Sequence, residues 1–444
     1  MAFETLYLPI GVSSFDVETA GDKFLDSKQV INQVDKNIVM PEGLLLSIDA
    51  VTEFLRDKNP DLVIVQSVTF ADASYIAEIM HRVDCQIILW TIPEPVVDGT
   101  RLRLNSLTGA FAAGNTMANF GKKFIYIHGS TFDDNTVDKL KAVYKAAKLK
   151  KNMSNLNLLQ VGHTQDGFGF GTGIENELMK TFGVRLMSVE TRQLMSKALT
   201  YDDEAIRDFI FDAQQMIPNI FNIDRQNVFD AGRLFKAYFD YCNENQIGAL
   251  ASRCMPDFIT EYGTPLCAVL SILNDLGIPS ACEADTYGAL SIYIAQYFSK
   301  MPAFFGSPVS MDEEYNSLTF WHCGMAPTTL AREDSRAQAG VHCNCGIGPT
   351  LEFGCRSSDH ATVFRVGKKP DGSFRFFIAQ GRSMDRFKQF NGTTVVIEPQ
   401  IPVRQLVESA VTSGWEPHFA VALADISAEL EALADMLGIE VVKY

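Results

Sequence analysis

The stretch 254-CMPDFITEYGTPLCAVLSILNDLGIPSACEADTYGAL-290 decides the fold, because it reads as one repeat of an α/β sheet. The apolar run Gly248–Arg253 before it predicts a buried strand, and Pro279–Glu283 predicts the next strand. Between the two, Thr264-Pro265 is typical of a helix start and Gly277 of a helix end. A helical crossover of this length joins parallel strands, so the stretch predicts an open parallel sheet.

Two acidic residues of this stretch, Glu261 and Asp285, follow the two predicted strands. Both are therefore expected at the carboxyl edge of the sheet, where open α/β sheets bind ligands. Two carboxylates that converge there suit a divalent metal ion or a pair that moves a proton. Glu283 competes with Asp285 for this role, because residues two apart face the same side of an extended chain.

Composition limits the classes of function. The chain has 444 residues, a formal net charge of −16 and 47% hydrophobic residues, which suits a packed protein of about three domains. The acidic charge argues against nonspecific nucleic-acid binding and against attachment to an anionic membrane surface. No apolar run approaches the roughly 20 residues that span a bilayer, and no signal peptide is visible. Nine scattered cysteines, without a disulfide pattern, favour reduced thiols and a cytoplasmic location.

The order of predicted elements divides the chain into three domains. Strands and helices alternate over 1–151 and again over 152–299, and short alternating runs rich in Thr, Phe and Val dominate 300–444. A Pro370-Asp-Gly turn within the last region predicts a hairpin. The fold class is therefore α/β, with two doubly wound α/β domains followed by a β-rich C-terminal domain.

Histidines supply the other candidate ligands. His418 lies with Trp415 in a loop, a pairing typical of sugar sites, although an interfacial aromatic beside a surface histidine is also consistent with it. His322-Cys323 and 342-HCNC-345 suggest a zinc cluster, but their spacing departs from the C-x₂₋₄-C pattern of structural zinc sites. Histidines that line a cleft are favoured instead.

A glycine-rich loop at 166–173, which includes Gly169, follows one predicted strand and precedes a helix. Its spacing is not G-x-G-x-x-G, so a dinucleotide site is weakly supported. Its free backbone N–H groups can hold an anion or a hydroxyl group, and a loop without a ligand is equally consistent. Arg253, Arg356 and Arg382 can pair with an anionic substituent of a substrate, although each is also typical of a surface or structural arginine.

Four features together resemble the L-fucose isomerase and L-arabinose isomerase superfamily. They are the Glu261/Asp285 pair, 281-ACEADTYGALS-291, 360-HATVFRVGKKPDGSFRFFIAQG-381 and 413-SGWEPHFAVALADISAELEALADMLGIEV-441. Their order agrees with the domain order of that superfamily over most of the chain. The chain is shorter than full-length fucose isomerases, and Glu-Pro replaces a small-residue stretch before His418.

The resemblance implies Mn²⁺, with Mg²⁺ or Co²⁺ as alternatives, held by Glu261, Asp285 and His418. It also implies that Glu261 and Asp285 are catalytic. His322 stays open as an alternative ligand or a substrate contact, and the expected substrate-binding residues are Trp415, His322, Gly169 and Arg253. A homo-oligomer is implied, with a hexamer as one expectation, in which the first-domain segments Trp90–Pro95 and Gly114–Asn119 border the site of a neighbouring chain.

The expected function is a metal-dependent aldose–ketose isomerase that acts on a monosaccharide through an enediolate. The alternatives are a non-catalytic sugar-binding or sensor protein and an NAD-dependent oxidoreductase that uses the glycine loop. The substrate is open among pentoses, 6-deoxyhexoses and 6-substituted hexoses such as sulfoquinovose.

Overall fold

The computed structural model describes residues 3–444 and divides into two compact units. One unit contains the chain up to Lys151 together with Ala428–Gly438, and the other contains Asn152–Ser427 and Ile439–Tyr444. Residues on both sides of position 299 belong to the second unit, so the three-domain division of the sequence analysis stays a prediction.

The first unit is built on a parallel sheet whose strands follow chain order, β1-β2-β3-β4. Its elements are β1 (Thr5–Ile10), α1 (Val17–Val34), α2 (Ile48–Leu55), β2 (Leu62–Ser67), α3 (Ala73–Arg82), β3 (Gln86–Thr91), α4 (Ser106–Asn119), β4 (Phe124–His128) and α5 (Asp134–Met153). Side chains of α2, α3 and α4 share one buried cluster with alternate residues of β1, β2 and β3. On α1, Phe24 stacks on Tyr7 at 6.3 Å between ring centroids, which places α1 on the opposite face.

A second parallel sheet begins the second unit, with the strand order β6-β5-β7-β8. Its elements are β5 (Asn157–Val161), α6 (Glu175–Phe182), β6 (Arg185–Val189), α7 (Thr191–Ala198), α8 (Arg207–Met216), α9 (Arg225–Glu244), β7 (Ile247–Ser252), α10 (Cys267–Asp275), β8 (Ser280–Cys282) and α11 (Thr286–Ser299). The chain leaves β5 towards β6 and then returns to the other side of β5 as β7. The strand order therefore reverses between β5 and β7, which is the position where such sheets form a ligand crevice.

The β-rich part of this unit contains a closed barrel. Its elements are β9 (Phe304–Asp312), β10 (Ser317–His322), β11 (Gln338–Gly340), β12 (Thr350–Gly354), β13 (Ser358–Lys368), β14 (Phe374–Ser383), β15 (Thr393–Pro399), α12 (Val403–Thr412), β16 (Phe419–Ala422) and β17 (Glu440–Lys443). Between β16 and β17 the chain forms α13 (Ser427–Leu437), which belongs to the first unit from Ala428 onwards. Antiparallel pairing runs through β15, β10, β9, β16, β13 and β14, and β14 pairs with β15 to close the circle. The predicted hairpin at Pro370-Asp-Gly is confirmed as the connection between β13 and β14.

The sequence prediction of parallel α/β sheets followed by a β-rich region is thus confirmed. Helix α11 matters most for the site, because it packs against β7 and β8 of the parallel sheet and against β13 and β16 of the barrel. Side chains on almost all faces of α11 are buried, as expected of a helix enclosed by other elements. Within residues 3–444, we find no helix that is long and apolar enough to cross a membrane.

Candidate active site

Three side chains from separate strand ends converge in the second unit. Glu283 follows β8, His322 ends β10, and His418 directly precedes β16. One ligand atom from each side chain lies within 4.8 Å of those of the other two. Both histidines are buried and Glu283 is partly buried, so the three groups form a largely enclosed cluster of one carboxylate and two imidazoles.

The backbone at Glu283 is in an unusual conformation. Glu283 and Ala284 both have left-handed torsions, with φ values of 60° and 54°. Such torsions are uncommon for residues other than glycine and cost of order 1–3 kcal/mol each, and they cluster at functional sites. Here they turn the chain sharply between β8 and α11, so that Glu283 and Asp285 reach opposite edges of the His418 ring.

His418 is held between two carboxylates. Its Nε2 lies 3.1 Å from Oε2 of Glu283, and its Nδ1 lies 3.0 Å from Oδ2 of Asp285. Burial alone lowers the pKa of His418, but the hydrogen bonds to Asp285 and Glu283 outweigh burial and raise it. Both ring nitrogens therefore have fixed partners, which sets the orientation of the ring.

Asp285 is the N-cap of α11, and its carboxylate is already fully engaged. Oδ1 accepts hydrogen bonds from the Gly288 N–H (2.8 Å) and from Nη2 of Arg365 (3.0 Å). Oδ2 accepts from Nη1 of Arg365 (2.6 Å) and faces His418. Burial alone would raise the pKa of Asp285, but the Arg365 guanidinium and His418 hold it well below its usual range. With four partners on two oxygens, this carboxylate has little remaining capacity for a further ligand.

His322 differs from His418 in the direction of its pKa shift. Burial lowers the pKa of His322 to about 4, so the ring is neutral near pH 7. Its Nδ1 accepts a hydrogen bond from the Cys323 backbone N–H at 2.9 Å, which fixes the plane of the ring. Neutral imidazole is the form that binds metal ions.

Aromatic rings enclose the His418 side of the cluster. Phe170 and Phe305 lie 5.4 and 5.0 Å from the His418 ring centroid. Phe170 belongs to the glycine-rich loop, which passes so close to the start of α11 that a Cβ on Gly171 would lie 2.9 Å from the Asp285 Cα. The glycine-rich composition is therefore explained, at least at Gly171, by close packing against the site.

Gly169, Trp415 and Arg253, which were also singled out from the sequence, are not among the three converging side chains. Gly169 and Trp415 line one cleft of about 540 Å³, together with Lys368. Arg253 follows β7 and contacts the ring of His163. The Trp415 indole packs under the Arg375 guanidinium at 3.8 Å, so most of its contacts are within the barrel.

Glu261 is not among the three converging residues. It lies on a π-helical turn, Phe258–Tyr262, and accepts two hydrogen bonds from Arg192, of 2.9 and 3.1 Å. Its side chain is 39% exposed. The structure thus brings His322, His418 and Asp285 together and leaves Glu261 in an exposed ion pair.

Arg365 was not among the residues singled out from the sequence. A signal was available, because Arg365 is a charged residue within the apolar strand 361-ATVFRVG-367. A charge inside such a strand needs a buried counterion. The identity of that counterion, Asp285, depends on packing across 80 positions of the chain and cannot be found from local patterns.

The cluster fits a metal ion. Among residues 3–444, Glu283, His322 and His418 form the group of at least three potential metal-ligating side chains with converging donor atoms. A carboxylate oxygen with two imidazole nitrogens is a donor set typical of divalent transition metals. Arg365 neutralises Asp285, and the cluster keeps the negative charge of Glu283 as an attraction for a cation.

Comparison with known proteins places the chain in a family. No protein-family model matches it. It is 48% identical over 443 residues to the sulfoquinovose isomerase of Clostridium sp. (strain MSTE9), covering 100% of this chain and 99% of that protein. It is 33% identical to the sulfoquinovose isomerase of Alkalicoccus urumqiensis and 30% identical to that of Priestia aryabhattai, in each case over 99% of this chain and 98% of the relative. The expectation of an isomerase is confirmed: the chain belongs to the sulfoquinovose isomerase family and is an aldose–ketose isomerase, an intramolecular oxidoreductase.

Proposed function

We propose that this enzyme interconverts sulfoquinovose and the corresponding 2-ketose, and that it uses a divalent metal ion and an enediolate intermediate. The substrate is taken from the names of the relatives. The observation that carries the mechanism is the enclosed cluster of Glu283, His322 and His418. An isomerase must remove a proton from carbon next to a carbonyl group, and stabilisation of the resulting charge is its main task.

We assign the metal to Glu283, His322 and His418, instead of Glu261, Asp285 and His418. The reason is that these three side chains converge, whereas Asp285 is saturated by Arg365, Gly288 and His418. Mn²⁺ or Co²⁺ suits two imidazoles and one carboxylate better than Mg²⁺, which prefers oxygen ligands. When bound, the ion would polarise the oxygens on C1 and C2 of the sugar and stabilise enediolate charge.

Asp285 then acts on His418 and not on the ion. A metal-binding histidine commonly donates its second ring N–H to a carboxylate, which fixes the tautomer and makes the ring a better ligand. Asp285 occupies this position at 3.0 Å from Nδ1. Nε2, on the other edge of the ring, is left to face Glu283 and the centre of the cluster.

The proton transfer needs a separate base. The base takes the proton from C2 of the open-chain aldose and returns it to C1, while the proton of the C2 hydroxyl moves to the C1 oxygen. C1 thus becomes an alcohol and C2 a carbonyl. Electrons and atoms therefore balance within the sugar. We propose Glu261 for this role, as predicted from the sequence. Its ion pair with Arg192 is exposed, and such pairs contribute about 0–1 kcal/mol, so a substrate can displace it.

The family assignment favours this function over the two alternatives raised by the sequence. A sugar-binding protein without catalysis does not fit the relatives, which are named isomerases. A dinucleotide site would need the glycine loop to be open to a pyrophosphate, yet Gly171 and Gly173 of that loop pack against Asp285 and Thr286.

Incubation in D₂O tests the proposal. The enzyme, stripped of metal and reloaded with Mn²⁺, is mixed with sulfoquinovose in D₂O, and NMR and mass spectrometry follow the products. We expect a 2-ketose and deuterium at C1 or C2 of the recovered sugars, with neither change in the metal-free enzyme. Ketose formation without metal would contradict the metal assignment, and absence of both changes with every divalent metal tested would contradict the substrate.

A further inference from the structure

We propose that Arg253, oriented by His163, binds the sulfonate group at C6 of the substrate. This inference rests on the proposed function and concerns the end of the sugar that is remote from C1 and C2. A sulfonate is a permanent anion with three acceptor oxygens, so its recognition requires a cationic donor. The guanidinium group of arginine, with several N–H donors in one plane, is well suited to it.

The position of Arg253 in the sheet supports a ligand contact. Arg253 directly follows β7 and His163 comes two residues after the end of β5. The strand order reverses between these two strands. In open α/β sheets, the crevice at such a reversal is where ligands bind, at the carboxyl ends of the strands.

Arg253 also lies next to the strand that leads to Glu283. The register pairs Ser252 of β7 with Cys282 of β8, so Arg253 and Glu283 leave the sheet from neighbouring strands, whose backbones are about 4.8 Å apart. The sulfur atom of Cys282, the last residue of β8, lies 3.1 Å from that of Cys254, which comes two residues after β7. The Glu283 cluster and Arg253 therefore lie at the ends of neighbouring strands, and the inference places C1 and C2 of the sugar at the cluster and its sulfonate at Arg253.

The hydrogen bonds of Arg253 leave donors for a ligand. Its Nε donates to the Met255 carbonyl at 3.2 Å, and its Nη1 lies 2.8 Å from Nε2 of His163. Nδ1 of His163 lies 2.8 Å from the Thr164 carbonyl, so it is the protonated nitrogen and Nε2 is the acceptor for Arg253. Nη2 takes part in none of these bonds. Among residues 3–444, the nearest carboxylate is Asp257, at 3.6 Å from Nε and beyond hydrogen-bond distance.

Several other cations around the second sheet and the barrel donate to carboxylates, whereas Arg375 donates to the carbonyls of Ser413 and Gly414. Arg192 is bonded to Glu261, and Arg382 to Glu398. The pairs Lys368–Glu177 and Arg365–Asp285 are likewise direct hydrogen bonds. Arg253 differs from these four pairs because its hydrogen-bond partners are an imidazole and a backbone carbonyl, while the Asp257 carboxylate lies beyond hydrogen-bond distance. An anionic substituent would therefore be attracted to Arg253 without having to displace a hydrogen-bonded carboxylate.

The loop after β5 is shaped to hold this pair together. Gly162 has a left-handed φ of 69°, and a Cβ there would lie 3.2 Å from the Arg253 Cβ and 2.9 Å from Thr191 Cγ2. The absence of a side chain lets His163 reach the guanidinium. Arg253 itself is mostly buried, with 15% of its side chain exposed, so its position is well defined before any ligand arrives.

Comparison of a sulfonated with a neutral sugar tests the inference on the metal-loaded enzyme. The variants are Arg253→Gln, Arg253→Lys and, as a matched control, Arg382→Gln, whose arginine is paired with Glu398. KM and kcat are measured for sulfoquinovose, and D-quinovose, which has hydrogen in place of the sulfonate, is measured as a substrate or as a competitive inhibitor. Thermal unfolding reports whether each variant is folded.

We expect Arg253→Gln to raise KM for sulfoquinovose by about 10- to 100-fold, as for loss of a hydrogen bond to a charged group. In the same variant, the change in kcat and the change in the KM or inhibition constant for quinovose are expected to be at least tenfold smaller. Arg253→Lys is expected to raise KM for sulfoquinovose by an intermediate factor, and Arg382→Gln to leave it unchanged. If Arg253→Gln raises KM equally for both sugars, or leaves KM for sulfoquinovose unchanged, this assignment is overturned while the isomerase reaction stays intact. A wild-type enzyme that does not act on sulfoquinovose would instead overturn the proposed function.

Discussion

Arg365 and Asp285 form a buried ion pair through two hydrogen bonds, of 2.6 and 3.0 Å, between the barrel strand β13 and the N-terminus of α11. Neither side chain is more than 1% exposed. The pair joins the β-rich part of the second unit to its parallel sheet at the point where His418 is oriented. Removal of one partner would leave an uncompensated buried charge, which is far more costly than removal of both.

Arg365→Met is therefore expected to lower the free energy of unfolding of the metal-free protein by about 3–5 kcal/mol. Chemical denaturation measures this change. The double variant Arg365→Met/Asp285→Asn is expected to recover part of the loss, because no charge is then left unpaired. Arg382→Met is the matched control on the adjacent strand, since its ion pair with Glu398 is exposed and contributes about 0–1 kcal/mol. If Arg365→Met lowers the free energy of unfolding by no more than this control does, the buried pair is not the source of stability argued above.

The proposed ligand set predicts an order of metal affinities. Glu283→Gln, His322→Ala and His418→Ala each remove a donor, and purified protein is expected to contain little metal by elemental analysis. Asp285→Asn keeps all three donors but weakens the orientation of His418, so its metal affinity is expected to fall by about 10- to 100-fold. Titration calorimetry on the stripped proteins gives the affinities.

The same variants show whether Glu283 or Asp285 is the acidic ligand of the metal. If Asp285 were a ligand and Glu283 were not, Glu283→Gln would keep its metal and Asp285→Asn would lose it. Thermal unfolding of each metal-free variant separates loss of metal from loss of fold, which matters for Asp285 because it also caps α11.

Close packing of the glycine loop predicts a stability change. Gly171→Ala places a Cβ 2.9 Å from the Asp285 Cα, and overpacking of this kind costs about 1–3 kcal/mol. Gly169→Ala is the control for stability, because a Cβ there meets no atom within 4 Å. Both are measured by thermal unfolding, and equal unfolding temperatures for the two variants would show that the loop yields without cost.

Assembly is expected to follow the superfamily resemblance. Phe111 and Leu107 lie one turn apart on α4 with exposed fractions of 74% and 48%, and the Gly114–Asn119 segment continues the same helix. Exposed apolar patches mark interaction sites. We expect a homo-oligomer, with a hexamer as the specific expectation, by light scattering. Phe111→Asp is expected to weaken the oligomer. Leu25→Asp, which changes an exposed leucine on α1, serves as the control. A wild-type enzyme that is active as a monomer would contradict the prediction.

The local part of the fold was predictable because its signals are local. Apolar runs bounded by Gly and Pro predict β7, α10 and β8 within a few residues, and the Asp and Gly after Pro370 predict the β13–β14 turn. Closure of the barrel was not predictable, since the pairing of β14 with β15 and of β9 with β16 depends on contacts between distant segments.

The site was predictable only in part. The sequence offered His322 and His418 as alternatives, and they proved to be neighbours, with ring centroids 5.9 Å apart. It expected Glu283 and Asp285 to share one side of an extended chain, but left-handed torsions at Glu283 and Ala284 place their carboxylates at opposite edges of one imidazole. Residue type and spacing do not predict those torsions, because neither residue is a glycine.

The last prediction is that Glu261 is the base that moves the proton. If Glu261 moves the proton, Glu261→Gln is expected to keep its metal content, since it lies outside the converging cluster, and to lose turnover by about 100-fold or more, as for removal of a general base. Hydrogen exchange at C2 in D₂O is expected to fall in proportion, because exchange and isomerisation share the same proton transfer. Arg192→Gln removes only the partner of Glu261, so it is expected to change turnover much less. If Glu261→Gln loses its metal instead, Glu261 is a ligand, as the resemblance implied, and Arg192 occupies its carboxylate only until a metal ion binds.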